Sequence, residues 1–209
     1  MTQDEKDDQL TERLEEFDSA FYDKFHVFEG ESVRWGAFRY IAQHLLEINE
    51  PFILETGCLR QIDNWMGDGQ STRIWDWIAH KTNGTVGTVD LNEHNAKAAR
   101  SVCSDHTDIK VSDSIAALRT DPEYQAALNR TSLLYLDSYD YSPQTKHLSA
   151  LHHIGELACV YDKLPSGCLI AVDDCISDTE GKHLMVKAFF DMMGVEPVLK
   201  SYVTVWRKP

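Results

Sequence analysis

The chain has 209 residues, a length that fits one domain with a sizeable buried core. Hydrophobic residues make up 43% and charged residues 26%, which excludes disordered and collagen-like classes. The formal net charge is −14 and no lysine or arginine cluster stands out, so we expect no nucleic-acid partner.

The first eight residues and the cysteines indicate the cellular compartment of the protein. The N-terminus is acidic and polar, unlike a signal peptide, and no run approaches the ~18 apolar residues of a membrane span. The five cysteines are odd in number and lack C-x-x-C spacing. We therefore expect a cytoplasmic protein without a membrane partner, whose cysteines are mostly buried.

Two amphipathic helices are predicted before any strand. Apolar residues recur every three or four positions over residues 4–25, as in Leu10, Leu14 and Phe17. The same pattern recurs over residues 32–48, where Ser32 is a suitable N-cap. Residues 1–49 are therefore predicted to form a helical cap.

From residue 50 onward, strands and helices alternate. The strands lack apolar–polar alternation, which is typical of strands buried on both faces. The pattern predicts an α/β fold with a doubly wound, mainly parallel sheet, a single domain over residues 1–209, and a C-terminal antiparallel hairpin over 197–206. The predicted strands are 52–55, 85–91, 109–111, 132–137 and 168–173. The predicted helices are 72–81, 93–103, 145–163 and 181–193, with helical segments between 114 and 129.

A glycine-containing segment follows the first predicted strand. Glu55 and Gly57 end the strand, and Gly67, Gly69 and Ser71 open the next helix. Glycine permits close backbone approach, and a helix N-terminus offers unpaired N–H groups. The segment is therefore a candidate cofactor turn, although glycines in a tight structural turn give the same pattern.

Two aspartates follow the second and third strands. Asp90 is placed to accept the two hydroxyls of a ribose. Asp113 is placed to accept the exocyclic amine of an adenine. Both residues also suit the N-cap of the helix that follows, and this alternative stays open.

Three carboxylates follow the fourth and fifth strands. Asp137 ends one strand, and the pair Asp173 and Asp174 ends the other. Adjacent carboxylates repel one another unless a cation lies between them. An oxygen-rich site of this kind suits Mg²⁺ or another divalent cation.

The segment Ile53–Gly57, together with Asp90, Asp137 and Asp173–Asp174, resembles class I S-adenosylmethionine (SAM) methyltransferases from about residue 50 to the C-terminus. Within that superfamily the carboxylates resemble metal-dependent O-methyltransferases of the macrocin or sugar type and of the catechol type. The resemblance implies that SAM is the cofactor. It also implies which residues bind the methionine part of SAM, namely Glu55, Gly57, Gly69 and Ser71. It implies further that Asp90 binds the ribose and Asp113 the adenine. The metal ligands that it implies are Asp137, Asp173 and Asp174.

The chain departs from the family pattern in two places. Residues 58–66 are inserted in the cofactor turn, where Trp65 is a candidate lid, and the catechol-type lysine base is missing after Asp137. His147 is the first candidate for a base and Lys182 the second. His152 and Glu156 lie on one helix face, where a structural contact and a functional one are both open.

The sequence therefore predicts SAM-dependent, metal-assisted O-methylation of a small molecule. Three alternatives stay open: a metal-dependent hydrolase or phosphotransferase, a nicotinamide-dependent oxidoreductase, and a non-catalytic SAM-binding module. The oligomeric state, including a homo-oligomer, also stays open. Trp75, Trp77 and Trp206 are predicted to pack in the core, and Tyr139 and Tyr141 to line the acceptor pocket.

Overall fold

The predicted doubly wound sheet is confirmed in a computed structural model, which describes residues 2–26 and 33–209. The sheet has six strands in the order β3-β2-β1-β4-β5-β8. The first five of these are parallel, and β8 pairs antiparallel with β5. The strand bounds are β1 Phe52–Thr56, β2 Thr85–Asp90, β3 Thr107–Val111, β4 Thr131–Leu136, β5 Leu169–Val172, β6 Cys175–Ser177, β7 Glu180–Gly181 and β8 Thr204–Arg207.

Helices cover both faces of this sheet. On one face α2 and α3 pack on the sheet and α1 packs on α2, while α5, α6, α7 and α8 cover the other face. Each face has its own cluster of buried apolar side chains. The helix bounds are α1 Gln3–Phe25, α2 Trp35–Leu46, α3 Ser71–Thr82, α4 Glu93–Arg100, α5 Ser114–Thr120, α6 Pro122–Ala127, α7 Lys146–Val160 and α8 Leu184–Met192.

Polar residues at the helix ends account for the predicted boundaries. Asn92 caps α4 by accepting the N–H of His94, and Asn83 ends α3 in the left-handed conformation at φ +55°. The second helix begins at Trp35 rather than at residue 32. The predicted cap Ser32 lies outside the described residues.

The C-terminal segment differs from the predicted hairpin. Only β8 forms a sheet strand, and the first arm is reduced to a single bridge between Leu199 and Val205. A short hairpin that the sequence did not reveal, β6–β7, follows β5 directly. Its strands have three and two residues, too few to show an apolar period.

The predictions for individual core residues are confirmed where the structure tests them. Trp75 and Trp206 are fully buried, and Cys58, Cys168 and Cys175 are buried as well. Trp77 is partly buried and packs edge-on against Phe17. Within residues 2–26 and 33–209, every helix is too short or too polar to span a membrane.

Two leucines of α7 test the packing of this helix on the sheet. Leu157 is 0% exposed in the core, whereas Leu151 is 55% exposed. We expect Leu157→Ala to lower the free energy of unfolding by about 2–5 kcal/mol, because it removes buried methyl groups and leaves a cavity. Leu151→Ala should change it by less than about 0.5 kcal/mol. Chemical denaturation followed by circular dichroism measures both, and equal effects would contradict the packing.

Candidate active site

A narrow pocket lies where the carboxyl ends of β1, β2 and β4 meet. The strand order reverses between β1 and β4, and an open α/β sheet binds its ligands beside such a switch point. The pocket has a volume of about 80 Å³. Its lining includes four of the predicted site residues, which are Gly57, Ser71, Asp90 and Asp137.

Gly57 brings the three strand ends into contact. Its N–H donates to the carbonyl of Val89 at 2.8 Å, and its φ is +79°. A Cβ at this position would lie 2.5 Å from the carbonyl oxygen of Asp137. The pocket therefore requires glycine here, both for the left-handed backbone and for the close approach of β4.

Asp90 is held with its carboxylate at the pocket. Its Oδ2 accepts the N–H of Cys58 at 3.2 Å, and its Oδ1 accepts the N–H of Asn92 at 2.7 Å. The side-chain amide of Asn95 donates to the same carboxylate. These donors fix the orientation of Asp90 at the position that the sequence predicted for binding a ribose.

Glu55 precedes the candidate cofactor turn and does not line the pocket. It is fully buried, and its Oε2 accepts the hydroxyls of Thr72 at 2.7 Å and Thr88 at 2.8 Å. Burial raises the pKa of Glu55 to about 7, although these hydroxyls partly offset the shift. The Glu55 carboxyl thus joins β1 to β2 and α3, and its contact with the methionine part of SAM stays a prediction.

The two other predicted glycines do not line the pocket. At Gly67 a Cβ would meet the side chain of Asn64 at 2.8 Å, within the inserted loop itself. At Gly69, where φ is +73°, a Cβ would lie 2.9 Å from Cδ of Arg34. Gly69 therefore leaves space for the Arg34 side chain, and the cofactor contacts of both glycines stay predictions.

The inserted loop is joined to the segment after β4. Arg60 Nε pairs with Asp68 at 3.1 Å, and Arg60 Nη1 pairs with Asp140 at 2.9 Å. All three residues line the pocket, which accounts for its small volume. Trp65 is not a lid, because its buried ring packs on Phe21 and Phe25 of α1.

Asp113 is an exposed N-cap. Its Oδ1 accepts the N–H of Ala116 at 2.8 Å, at the start of α5. The residue is not part of the pocket lining. The structural alternative is therefore formed, and the contact with adenine stays a prediction.

The predicted metal ligands are held by two cationic side chains. Asp173 is 1% exposed, and both of its carboxylate oxygens accept from Nε of Arg34, at 3.0 and 2.9 Å. Arg34 Nη2 also reaches Asp174, at 3.1 Å. Lys182 Nζ contacts Asp137 and lies 2.9 Å from Asp174.

In this arrangement the three carboxylates do not fit a divalent cation. Tyrosine hydroxyls complete the shell, from Tyr135 to Asp173 at 2.8 Å and from Tyr202 to Asp174 at 2.6 Å. Over residues 2–26 and 33–209, no group of three His, Cys, Asp or Glu side chains has a metal-binding arrangement. Arg34 and Lys182 instead engage both carboxylate oxygens of Asp173, both of Asp174, and Oδ1 of Asp137.

Burial and charge act in opposite directions on these groups. Burial lowers the pKa of Lys182, but attraction to Asp137 and Asp174 outweighs it, so the net pKa lies above the usual range. For Asp137, burial raises the pKa, Lys182 lowers it and Asp173 raises it again, with an upward net shift. The two carboxylates therefore favour the ammonium form of Lys182, and its role as a base stays a prediction.

The other predicted bases lie away from the pocket. His147 is exposed in the first turn of α7 and makes no hydrogen bond or ion pair to a described residue. His152 contacts Glu156 at 3.3 Å, and Glu156 accepts the hydroxyl of Ser138 at 2.6 Å. This pair supports the segment after Asp137.

Two tyrosines were predicted to line an acceptor pocket. Tyr139 is partly exposed, with its ring 5.4 Å from that of His152, and Tyr141 is partly buried. Neither residue lines the pocket at the strand ends. Their contact with an acceptor stays a prediction.

Four functional candidates escaped the sequence analysis: Arg34, Arg60, Tyr135 and Tyr202. Arg34 lies 139 positions from its partner Asp173. Arg60 lies in the inserted loop, and the other three belong to no motif. Each of the four has a partner at least 28 residues away in the chain, so only the folded structure brings these pairs together.

Comparisons with known proteins support the fold. No protein-family model matches the chain, and no curated protein matches its sequence. The solved structure of the O-methyltransferase NovP aligns with a TM-score of 0.61 and 11% identity, covering 97% of this chain and 99% of that chain. MycE is a methyltransferase from the mycinamycin biosynthetic pathway, solved with Mg, SAH and mycinamycin VI. It aligns with a TM-score of 0.58 and 11% identity, covering 94% of this chain and 53% of that chain.

A putative rRNA-methylase from Clostridium thermocellum aligns with a TM-score of 0.50 and 12% identity, covering 86% of this chain and 98% of that chain. At such identities the likeness shows the fold alone. The fold is the Rossmann-like fold of class I SAM-dependent methyltransferases, which confirms the predicted resemblance at this level. The likeness spans nearly the whole of the O-methyltransferase NovP.

Two glycines test how tightly β1 and β4 approach each other. Gly57 and Gly167 both have positive φ, but a Cβ at Gly167 would meet nothing within 4 Å. We expect Gly167→Ala to cost about 1–2 kcal/mol of unfolding free energy from backbone strain alone. Gly57→Ala should cost at least about 1–3 kcal/mol more, because β4 must also move. Denaturation midpoints measure the difference, and equal costs would argue against the close approach.

Proposed function

We propose that this chain is a SAM-dependent methyltransferase, on the basis of the charge of its pocket. Four carboxylates line the pocket, from Asp68, Asp90, Asp137 and Asp140, and Arg60 is the one cationic side chain in the lining. SAM carries a sulfonium, an ammonium and a single carboxylate. The cationic groups of SAM complement the aspartates, and its carboxylate complements Arg60.

The same charges disfavour the alternative cofactors. NAD and ATP bring several negative phosphate charges, which four carboxylates would repel. The turn also lacks the lysine of a P-loop and the compact G-x-G-x-x-G of a dinucleotide site. The oxidoreductase, hydrolase and phosphotransferase alternatives therefore have less support than the methyltransferase.

Cofactor binding in this proposal requires the pocket to widen. Its volume of about 80 Å³ is below the ~300 Å³ at the lower end for small-molecule sites. The bridge from Arg60 to Asp140 is exposed, with side chains 51% and 71% accessible, so it opens at little cost. Once released from Asp140, Arg60 is free to pair with the carboxylate of the cofactor.

The acceptor that we propose is a small molecule with a hydroxyl group. The chain carries a formal net charge of −14, which opposes binding of an RNA backbone. The similarity in fold to NovP and MycE, both methyltransferases and the former an O-methyltransferase by name, is in keeping with oxygen as the target atom.

Asp137 is the base in this proposal. It lines the pocket, its side chain is 23% exposed, and Lys182 engages only one of its two carboxylate oxygens, Oδ1. The acceptor oxygen attacks the methyl carbon in line with the carbon–sulfur bond, which breaks and leaves neutral SAH. The hydroxyl proton passes to Asp137 Oδ2, which accepts no hydrogen bond from the described residues.

Calorimetric titration with SAH in EDTA tests the cofactor site. We expect the protein to bind SAH with a Kd of about 1–100 µM. Asp90→Ala should weaken binding by about tenfold to a hundredfold, because a charged acceptor of ribose hydroxyls is lost. Asp162→Ala, which removes an exposed aspartate after α7, is the matched control and should bind as the unchanged protein does. Binding of NAD or ATP in place of SAH and SAM would reject the proposal.

A turnover assay tests Asp137 as the base. With SAM and a set of hydroxylated small molecules, we expect SAH to form with at least one acceptor. Asp137→Asn keeps an oxygen for Lys182 but removes the base, so turnover should fall by about 10²–10⁴-fold while SAH affinity changes little. Undiminished turnover would exclude Asp137, and SAH binding without any turnover would favour the non-catalytic module.

A further inference from the structure

We propose that Arg34 and Lys182 take the place of a divalent cation among Asp137, Asp173 and Asp174. The site then keeps its three carboxylates in place with side chains and binds no catalytic metal. This inference deepens the proposed function and rests on it. It is carried by the contacts of the two cations and by the backbone that delivers them.

Lys182 is placed as a bridging cation would be. Lys182 is 0% exposed. Its Nζ contacts Oδ1 of Asp137 and lies 2.9 Å from Oδ2 of Asp174. The carbonyl of Asp137 is a third acceptor, at 3.5 Å. An ammonium has three N–H donors, so these acceptors use its full capacity.

The β6–β7 hairpin is shaped to deliver Lys182. The hairpin follows Asp174, and the N–H of Lys182 donates back to the carbonyl of Asp174 at 3.2 Å. Gly181 has a φ of +139°, and a Cβ there would lie 2.6 Å from that same carbonyl oxygen. The chain can therefore return to Asp174 only with glycine before Lys182.

The second cation also depends on a glycine. Arg34 passes over Gly69 to reach Asp173, and its guanidinium lies 4.6 Å from the ring centroid of Tyr202. The ring and the hydroxyl of Tyr202 thus hold Arg34 and Asp174 together. Two glycines far apart in the chain, Gly69 and Gly181, thus make room for the two cations.

The charge balance favours this replacement. Two side-chain cations supply the same charge as one divalent ion, against three carboxylates. A metal could bind Asp137 and Asp174 only after displacing Lys182, which would then be a buried ammonium without partners. With Lys182 on Oδ1, the Oδ2 oxygen of Asp137 stays available to a substrate.

Titration with Mn²⁺ tests the replacement without any substrate or cofactor. Electron paramagnetic resonance measures free Mn²⁺, and we expect the unchanged protein to bind it no more tightly than about 1 mM. Lys182→Ala removes the ammonium and should tighten Mn²⁺ binding by at least about tenfold, since it frees two carboxylates. Lys146→Ala removes a half-exposed lysine of α7 and should leave Mn²⁺ binding unchanged.

Submillimolar Mn²⁺ binding by the unchanged protein that is lost in Asp174→Asn would overturn the inference. So would a folded Lys182→Ala that gains no affinity for Mn²⁺. If Lys182→Ala does not fold, Lys182→Met, which keeps the length of the side chain without its charge, replaces it. Titration of the unsubstituted protein with SAH in EDTA tests the proposed function separately. Failure to bind SAH would reject the proposed function, whereas the Mn²⁺ results alone decide this inference.

Discussion

The need to pair a buried charge at the end of β5 organises the site. Asp173 is 1% exposed, and an unpaired carboxylate there would be costly. Arg34, the N-cap of α2, supplies the partner, and Tyr135 of β4 adds a hydroxyl. This pairing ties the N-terminal helices to the carboxyl edge of the sheet, and Gly69 leaves the space for it. The ion pair between Arg34 and Asp173 thereby links the N-terminal helices to the sheet.

Two kinds of charge arrangement lie side by side at this edge. In the pocket, four carboxylates face one exposed arginine, Arg60, and this negative charge favours a cationic ligand. In the neighbouring cluster, Arg34 and Lys182 already balance much of the negative charge. Asp137 belongs to both, because it lines the pocket and contacts Lys182. This shared position is what connects the proposed cofactor site to the proposed chemistry.

Sequence patterns located the strand ends but not what surrounds them. Gly57, Asp90 and Asp137 were predicted from their places after buried strands, and all three line the pocket. Glu55 was predicted to contact the cofactor, yet its carboxyl faces Thr72 and Thr88 in the interior. A residue directly after a strand lies at the carboxyl edge of the sheet. Glu55 lies within β1, so its side chain points to one face of the sheet and packs there.

The sequence by itself determined the alternation of strands and helices, the parallel sheet and the edge that carries the candidate site, because apolar periodicity and glycine or aspartate at strand ends are local signals. Only the tertiary structure decided which cation meets which carboxylate. Arg34 and Asp173 are 139 residues apart, and Lys182 reaches Asp137 across 45 residues. Such pairs depend on the relative positions of packed elements, and no local spacing encodes those positions.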